Sequence, residues 1–167
     1  MREISREPQS HEFLVKALRE AGGELLNELE CIRGRDAHRR PDGEWSFAQI
    51  AAHVRDSEQM SLTYVQRIAS RRTALLQPFD TAATADDSED RLLDLERAIY
   101  QYAHLRQQLL HELWGIVPEQ WDRTGEHAYR GPLSIVQIVR ELHLHDLEHL
   151  WQVRAHRQAL FAGSASE

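Results

Sequence analysis

The sequence is poor in several things, and each shortage narrows what it can be. It has one cysteine, Cys31, so an internal disulfide is excluded and a reducing cytoplasm is the expected home. It has no run of about 18 apolar residues, so no membrane span is expected. Its first ten residues, MREISREPQS, are polar and lack the apolar segment of a secretion signal, so no signal peptide is expected. Positive charge is also in deficit. A formal net charge of −7 argues against broad nucleic-acid binding, and the short clusters at 38–40 and 71–72 read as solvated loop charge. No Ser-His-Asp order and no phosphate-binding glycine loop is evident.

What the chain does hold is helical periodicity. With 167 residues it is long enough for one domain with a sizeable core, assigned to 1–162, and the tail 163–167 reads as disordered. Leu14, Leu18, Ala21, Leu25, Leu29 and Ile32 recur at three-to-four spacing and predict a first helix over 10–32, with Ser10 as N-cap and Gly22–Gly23 as a weak point. A loop follows over 33–45. Ser46-Phe-Ala-Gln is a capping box that opens a second helix, to about Ser70. Residues 71–87 read as a crossover loop. A third helix is predicted from near Ser88, with Glu89 and Asp90 in its first turn, to about Trp114, where Gly115 and Pro118 end it. After a loop to 132, Ser134-Ile-Val-Gln repeats the capping box and opens a fourth helix, to about Leu160. No segment reads convincingly as a strand. The expectation is an all-α four-helix bundle.

Ten histidines are an unusual number, and three of them matter by position. His145 and His149 are four apart, so they share one side of the last helix and stand roughly 6 Å apart along its axis. That spacing lets two imidazoles reach one ion. Both turn toward Ile138, Leu142 and Val153, which places them on the core side. His143 turns elsewhere, and His156 lies too far along for the same ion. On the second helix His53 sits at the edge of the stripe Phe47, Ile50, Val54, Ser61, Val65 and Ile68, with Ser57, Met60 and Tyr64 on its side. Three neutral imidazoles with one open position describe a catalytic metal site better than a closed structural one. Histidines at such positions also occur as hydrogen-bonded core residues. Either way buried imidazoles need partners.

Depth discriminates between helix directions. His53 is seven residues past its cap, while His145 and His149 are eleven and fifteen past theirs. Parallel helices would offset the ligands by roughly 6–12 Å at 1.5 Å per residue, whereas antiparallel helices bring them level. The long crossover at 71–87 permits the antiparallel arrangement, with helices two and three running the same way.

At these residues the sequence resembles the DinB/YfiT-like superfamily of metal-binding four-helix bundles. WSFAQIAAHVRDSE is similar to the family's second helix. PLSIVQIVRELHLHDLEHLWQV is similar to its last, with His-x-x-x-His followed by Gln. The resemblance implies an up-down-down-up bundle and a metal triad at His53, His145 and His149. It implies a divalent ion, zinc or nickel, with iron in some relatives. It implies a metal-dependent transferase or detoxification enzyme using a small thiol such as mycothiol or bacillithiol, with the ion holding the thiol as thiolate. A non-catalytic stress protein that binds metal or a small molecule is the alternative. A related domain of sulfoxide synthases uses His-x-x-x-His-x-Glu, and Trp151 stands where that Glu would be, which argues against such an activity here.

Glu141 and Glu148 are the weak catalytic candidates; with Gln152 they lie at the polar edge of the last helix, where each could orient an imidazole or a water, or simply be solvated. Val136, Leu144, Leu147 and Trp151 form a second apolar side of that helix, and a homodimer interface is expected there.

Overall fold

The computed structural model describes residues 9–41, 43–71, 73–78 and 94–162. Its long helices are α1 (Gln9–Glu30), α2 (Phe47–Ser70), α3 (Leu95–Gly115) and α4 (Ile135–Phe161). Three short strands lie between them: β1 (Ala74–Leu76), β2 (Thr124–His127) and β3 (Gly131–Ser134). No described helix is long and apolar enough to cross a membrane.

The side-chain pairs between helices fix their directions. Arg55–Gln101, Glu58–Arg106 and Gln66–Glu112 advance together, so α2 and α3 run parallel. Arg154 reaches Glu24 and Glu28, and Arg157 reaches Glu28, so α1 and α4 run parallel as well. His53 packs on His149 while Ser57, one turn further along α2, meets His145, one turn earlier on α4. Those two helices are therefore antiparallel. The bundle is up-down-down-up, as the depth of the histidines requires.

Both capping boxes form. Ser46 N–H donates to Gln49 Oε1 (2.8 Å), and Gln49 N–H returns to Ser46 Oγ (3.1 Å). Ser134 and Gln137 make the same pair, both bonds at 3.2 Å. Each box satisfies otherwise orphaned amides and is worth on the order of 1 kcal/mol. They also fix where α2 and α4 begin, and hence the height of His53 and His145. Helix α1 is described from Gln9, one residue before the predicted cap at Ser10, whose side chain lies outside the described residues. The predicted start of helix three near Ser88 and the tail 163–167 lie outside the described residues. The described α3 opens at Asp94, whose carboxylate accepts from the Arg97 N–H at 3.0 Å.

The strands are a correction to the helix-only reading. β1 pairs parallel with β2, and β2 pairs antiparallel with β3, in the order β1-β2-β3. Three or four residues are too few to show a two-residue period; β1 pairs with a strand about fifty residues on, while β2 and β3 form a local hairpin turned at 128–130. Leu76 and Leu133 turn inward with Trp121 and close one end of the core against Ile68 and Ile135. Gly125 is required there, because a Cβ would stand 2.9 Å from Leu76 and 3.0 Å from Ile68.

A layer of charge crosses the middle of the bundle. Arg106 of α3 donates from Nε (2.8 Å) and Nη2 (2.6 Å) to the two oxygens of Glu58, and from Nη1 to the Leu18 carbonyl (2.8 Å). Its Nη2 also lies 2.8 Å from Asp146 Oδ2, an ion pair without hydrogen-bond alignment, while the Tyr102 hydroxyl donates to Asp146 Oδ1 at 3.1 Å. Glu58 and Asp146 are fully buried and Arg106 is nearly so. Burial works against the guanidinium, but Glu58, Tyr102 and Asp146 outweigh it and hold Arg106 protonated.

On α4 the second apolar side is only partly covered within one chain, with Val136 packed against the core. Leu144 and Trp151 are exposed, and Val136 and Leu147 are half-buried.

Candidate metal centre

The structure brings His53, His145 and His149 together and leaves His143 out. His53 Nε2 lies 2.9 Å from His145 Nε2, and His149 Nε2 lies 3.1 Å from the same atom. The three rings stand at 48° to 72° to one another, so their Nε2 atoms converge from different directions. One ring nitrogen carries at most one proton, so His145 Nε2 cannot make ordinary hydrogen bonds to both neighbours at once if it donates. Lone pairs then face each other unless a cation stands between them. Zinc–nitrogen bonds of about 2.0–2.1 Å in a tetrahedron put ligand nitrogens roughly 3.3–3.4 Å apart, slightly wider than the two spacings to His145, and the three ligand atoms all lie within 4.8 Å of one another. The donor set fits a divalent ion.

The surroundings keep His145 and His149 neutral. Burial, then the neighbouring His149 and His53, and then Arg106, push His145 down to about 3. His149 is lowered too, by burial, against a raising pull from Gln152 and Glu148. The Gln152 Oε1 lies 2.7 Å from His149 Nδ1, so it accepts that ring's proton and frees Nε2 as a lone-pair donor. The orienting residue is thus Gln152, which the sequence grouped with Glu141 and Glu148. Glu141 instead pairs with Arg130 at 2.7 Å, with both side chains about half exposed, and Glu148 is exposed. Neither glutamate makes a hydrogen bond to an imidazole of the triad among the described residues.

Two further residues complete the wall. Trp45 lies against His53 (5.0 Å between ring centroids, edge-on) and nearly parallel to His149 (6.3 Å, 10°). His156 is buried, with Nε2 2.7 Å from the Trp45 carbonyl and Nδ1 2.9 Å from the Gln152 carbonyl. It fastens the loop that carries Trp45 onto α4.

Beside the triad lies a cavity of about 140 Å³. Ser57, Ser61 and Tyr64 supply polar groups, Met60, Leu133, Ile138 and Leu142 supply an apolar wall, and the Arg130–Glu141 pair also lines it. His145 is the triad member that borders it. Cavities of this size hold a six-carbon ring. A wider open groove between α2 and α3 contains none of the three histidines.

Residues 17–153 match the model of the DinB superfamily. The chain belongs to that superfamily. A relative from Oceanobacillus iheyensis, named "Putative metal-dependent hydrolase", is 24% identical over 151 residues, which span 86% of this chain and 83% of that one. The fold of YfiT from Bacillus subtilis, described as "a probable metal-dependent hydrolase with an unusual four-helix bundle topology", superposes with a TM-score of 0.81 at 15% identity, over 96% of this chain and 93% of that one. A mycothiol-dependent maleylpyruvate isomerase superposes with a TM-score of 0.72 at 11% identity, over 92% of this chain and 63% of that one.

Proposed function

We propose that this DinB-superfamily chain is a divalent-metal enzyme that joins a low-molecular-weight thiol to a small electrophile. The observation that carries the reading is the convergence of three imidazole groups beside a small, partly apolar cavity. An ion held there by three histidines supplies a Lewis-acidic open position that lowers the pKa of a thiol or water placed on it. Zinc or nickel suits imidazole donors, and iron is compatible with them. The chain's own residues divide the remaining work. Gln152 holds the His149 tautomer, Trp45 shields the triad, and Met60, Leu133, Ile138 and Leu142 receive the electrophile's apolar part. The likeness in fold to the mycothiol-dependent isomerase supports the thiol.

A second reading is hydrolysis, favoured by the name of the O. iheyensis relative and by the description of YfiT. Purified, metal-loaded protein given an activated aryl chloride, with and without a small thiol, separates the two. Metal- and thiol-dependent release of chloride, with the aryl thioether formed, supports transfer. Thiol-independent cleavage of a small ester or amide supports hydrolysis instead. Metal bound with neither turnover returns the chain to a binding role.

The same reading takes the exposed Leu144 and Trp151 as the seam of a homodimer. Light scattering on the eluted protein checks it: the mass expected is twice 19.4 kDa. A clean monomer at high concentration rejects the seam.

A further inference from the structure

Ser57 lies one turn after His53 on α2, so both side chains share a helix face. It is 5% exposed. A serine or threonine inside a helix commonly returns its hydroxyl to the carbonyl four residues back. Thr63 does so, donating to the Gln59 carbonyl at 2.8 Å. Ser57 does not: among the described residues its hydroxyl has one polar contact, His145 Nε2 at 3.5 Å. That is the outer edge of hydrogen-bond range. It is also the nitrogen that two other imidazoles already face. Once that lone pair is committed to an ion, the Ser57 proton has no acceptor left among the described residues. A buried hydroxyl needs one. Ser57 and His145 border the same cavity, so the acceptor can enter from there.

We propose that Ser57 donates a hydrogen bond to the anionic atom of a ligand seated at the position the three imidazoles leave open, the ligand being a thiolate or similar anion whose small apolar group fills the cavity of Met60, Leu133, Ile138 and Leu142. This rests on the metal reading above. A hydroxyl donating to charge stabilises the bound anion more than the free one, which water already solvates. Ser57 therefore lowers the dissociation constant of the anion without helping to hold the ion.

The test is anion binding by the cobalt(II)-loaded protein, followed by its visible and near-ultraviolet absorption. Azide probes the open position whatever the physiological ligand, and 2-mercaptoethanol probes the thiol. Ser57→Ala should keep its cobalt and raise the azide dissociation constant about ten- to hundredfold, the loss of one hydrogen bond to a charged group. Ser57→Thr, which keeps the hydroxyl, should recover most of the affinity. Equal azide binding by wild type and Ser57→Ala overturns the proposal. So does loss of cobalt from Ser57→Ala, which would make Ser57 a support of the triad. If azide distinguishes the variants but 2-mercaptoethanol binds neither, Ser57 is confirmed as donor and the thiol reading alone fails. If the wild type takes up no cobalt, both fail.

Discussion

Gly22 of α1 lies directly against the guanidinium of Arg106: a Cβ at that glycine would stand 2.1 Å from Nη1. The second glycine of the pair, Gly23, would meet nothing within 4 Å. Two adjacent glycines in one helix thus have opposite meanings. Gly22→Ala should destabilise by about 1–3 kcal/mol, because strain against a pinned buried side chain exceeds the gain in helix propensity. Gly23→Ala should stabilise by roughly 0.5–1 kcal/mol. Urea denaturation of the two variants beside wild type reads both signs, and a stable Gly22→Ala protein would show that Arg106 is not pinned.

Arg106 is the single cation between two buried carboxylates, Glu58 and Asp146. Arg106→Met removes it and leaves the two acids facing each other in the core. A loss of about 3–5 kcal/mol is expected, the range for breaking a buried pair from one side. Thermal unfolding measures it; a small shift in midpoint would mean that water reaches the layer.

Gln152→Ala should leave the fold intact and weaken metal binding about 10- to 100-fold, since His149 loses the acceptor that fixes its tautomer. His149→Ala should remove bound metal altogether while circular dichroism stays helical. Competition with a chromophoric chelator measures the first, and elemental analysis of protein purified without an affinity tag the second. Full metal content in His149→Ala would reject the triad.

The metal-free protein should lose stability as pH falls below about 6.5. His145 titrates near 6.5 when unfolded but at about 3 when folded, and His149 is shifted the same way. The unfolded chain therefore binds up to two protons that the native one refuses, which lowers stability as pH falls through this window. Asp146 acts in the opposite direction. Burial raises it from 3.8 to about 6, against the pull of Arg106, so the native state gains one proton between those values. Two against one leaves a net loss on acidification of no more than about 1.4 kcal/mol per pH unit. Urea midpoints at pH 7 and pH 5 check it, and a midpoint that rises at pH 5 refutes the assignment.

The helices and the triad were legible in the sequence because both rest on local spacing. Ser46–Gln49 and Ser134–Gln137 mark where α2 and α4 start, and the count from each cap sets the histidines level only if the helices are antiparallel. The short sheet was hidden because strands of three or four residues carry no period of their own, in the local hairpin of Thr124–His127 with Gly131–Ser134 as much as in the pairing with Ala74–Leu76 across about fifty residues of chain. The charge layer was hidden for another reason. Asp146 follows Val139 and Leu142 and precedes Leu150 and Val153 on one stripe of α4, a core address, yet a charged side chain there is easily read as the solvated edge. Read by position, it signalled a buried partner. Glu141, Glu148 and Gln152 could not be ranked without the rotamers: Glu141 faces Arg130 at the cavity wall, and Gln152 is the one that meets His149.

Trp45, held nearly parallel to His149 by the bond from His156 to its carbonyl, gives the centre an optical readout of its own. An open-shell ion such as cobalt or nickel seated between the histidines should quench the emission of that indole. Zinc, with a filled d shell, has no such route to dim it. The colour and brightness of one tryptophan would then report which ion the protein carried.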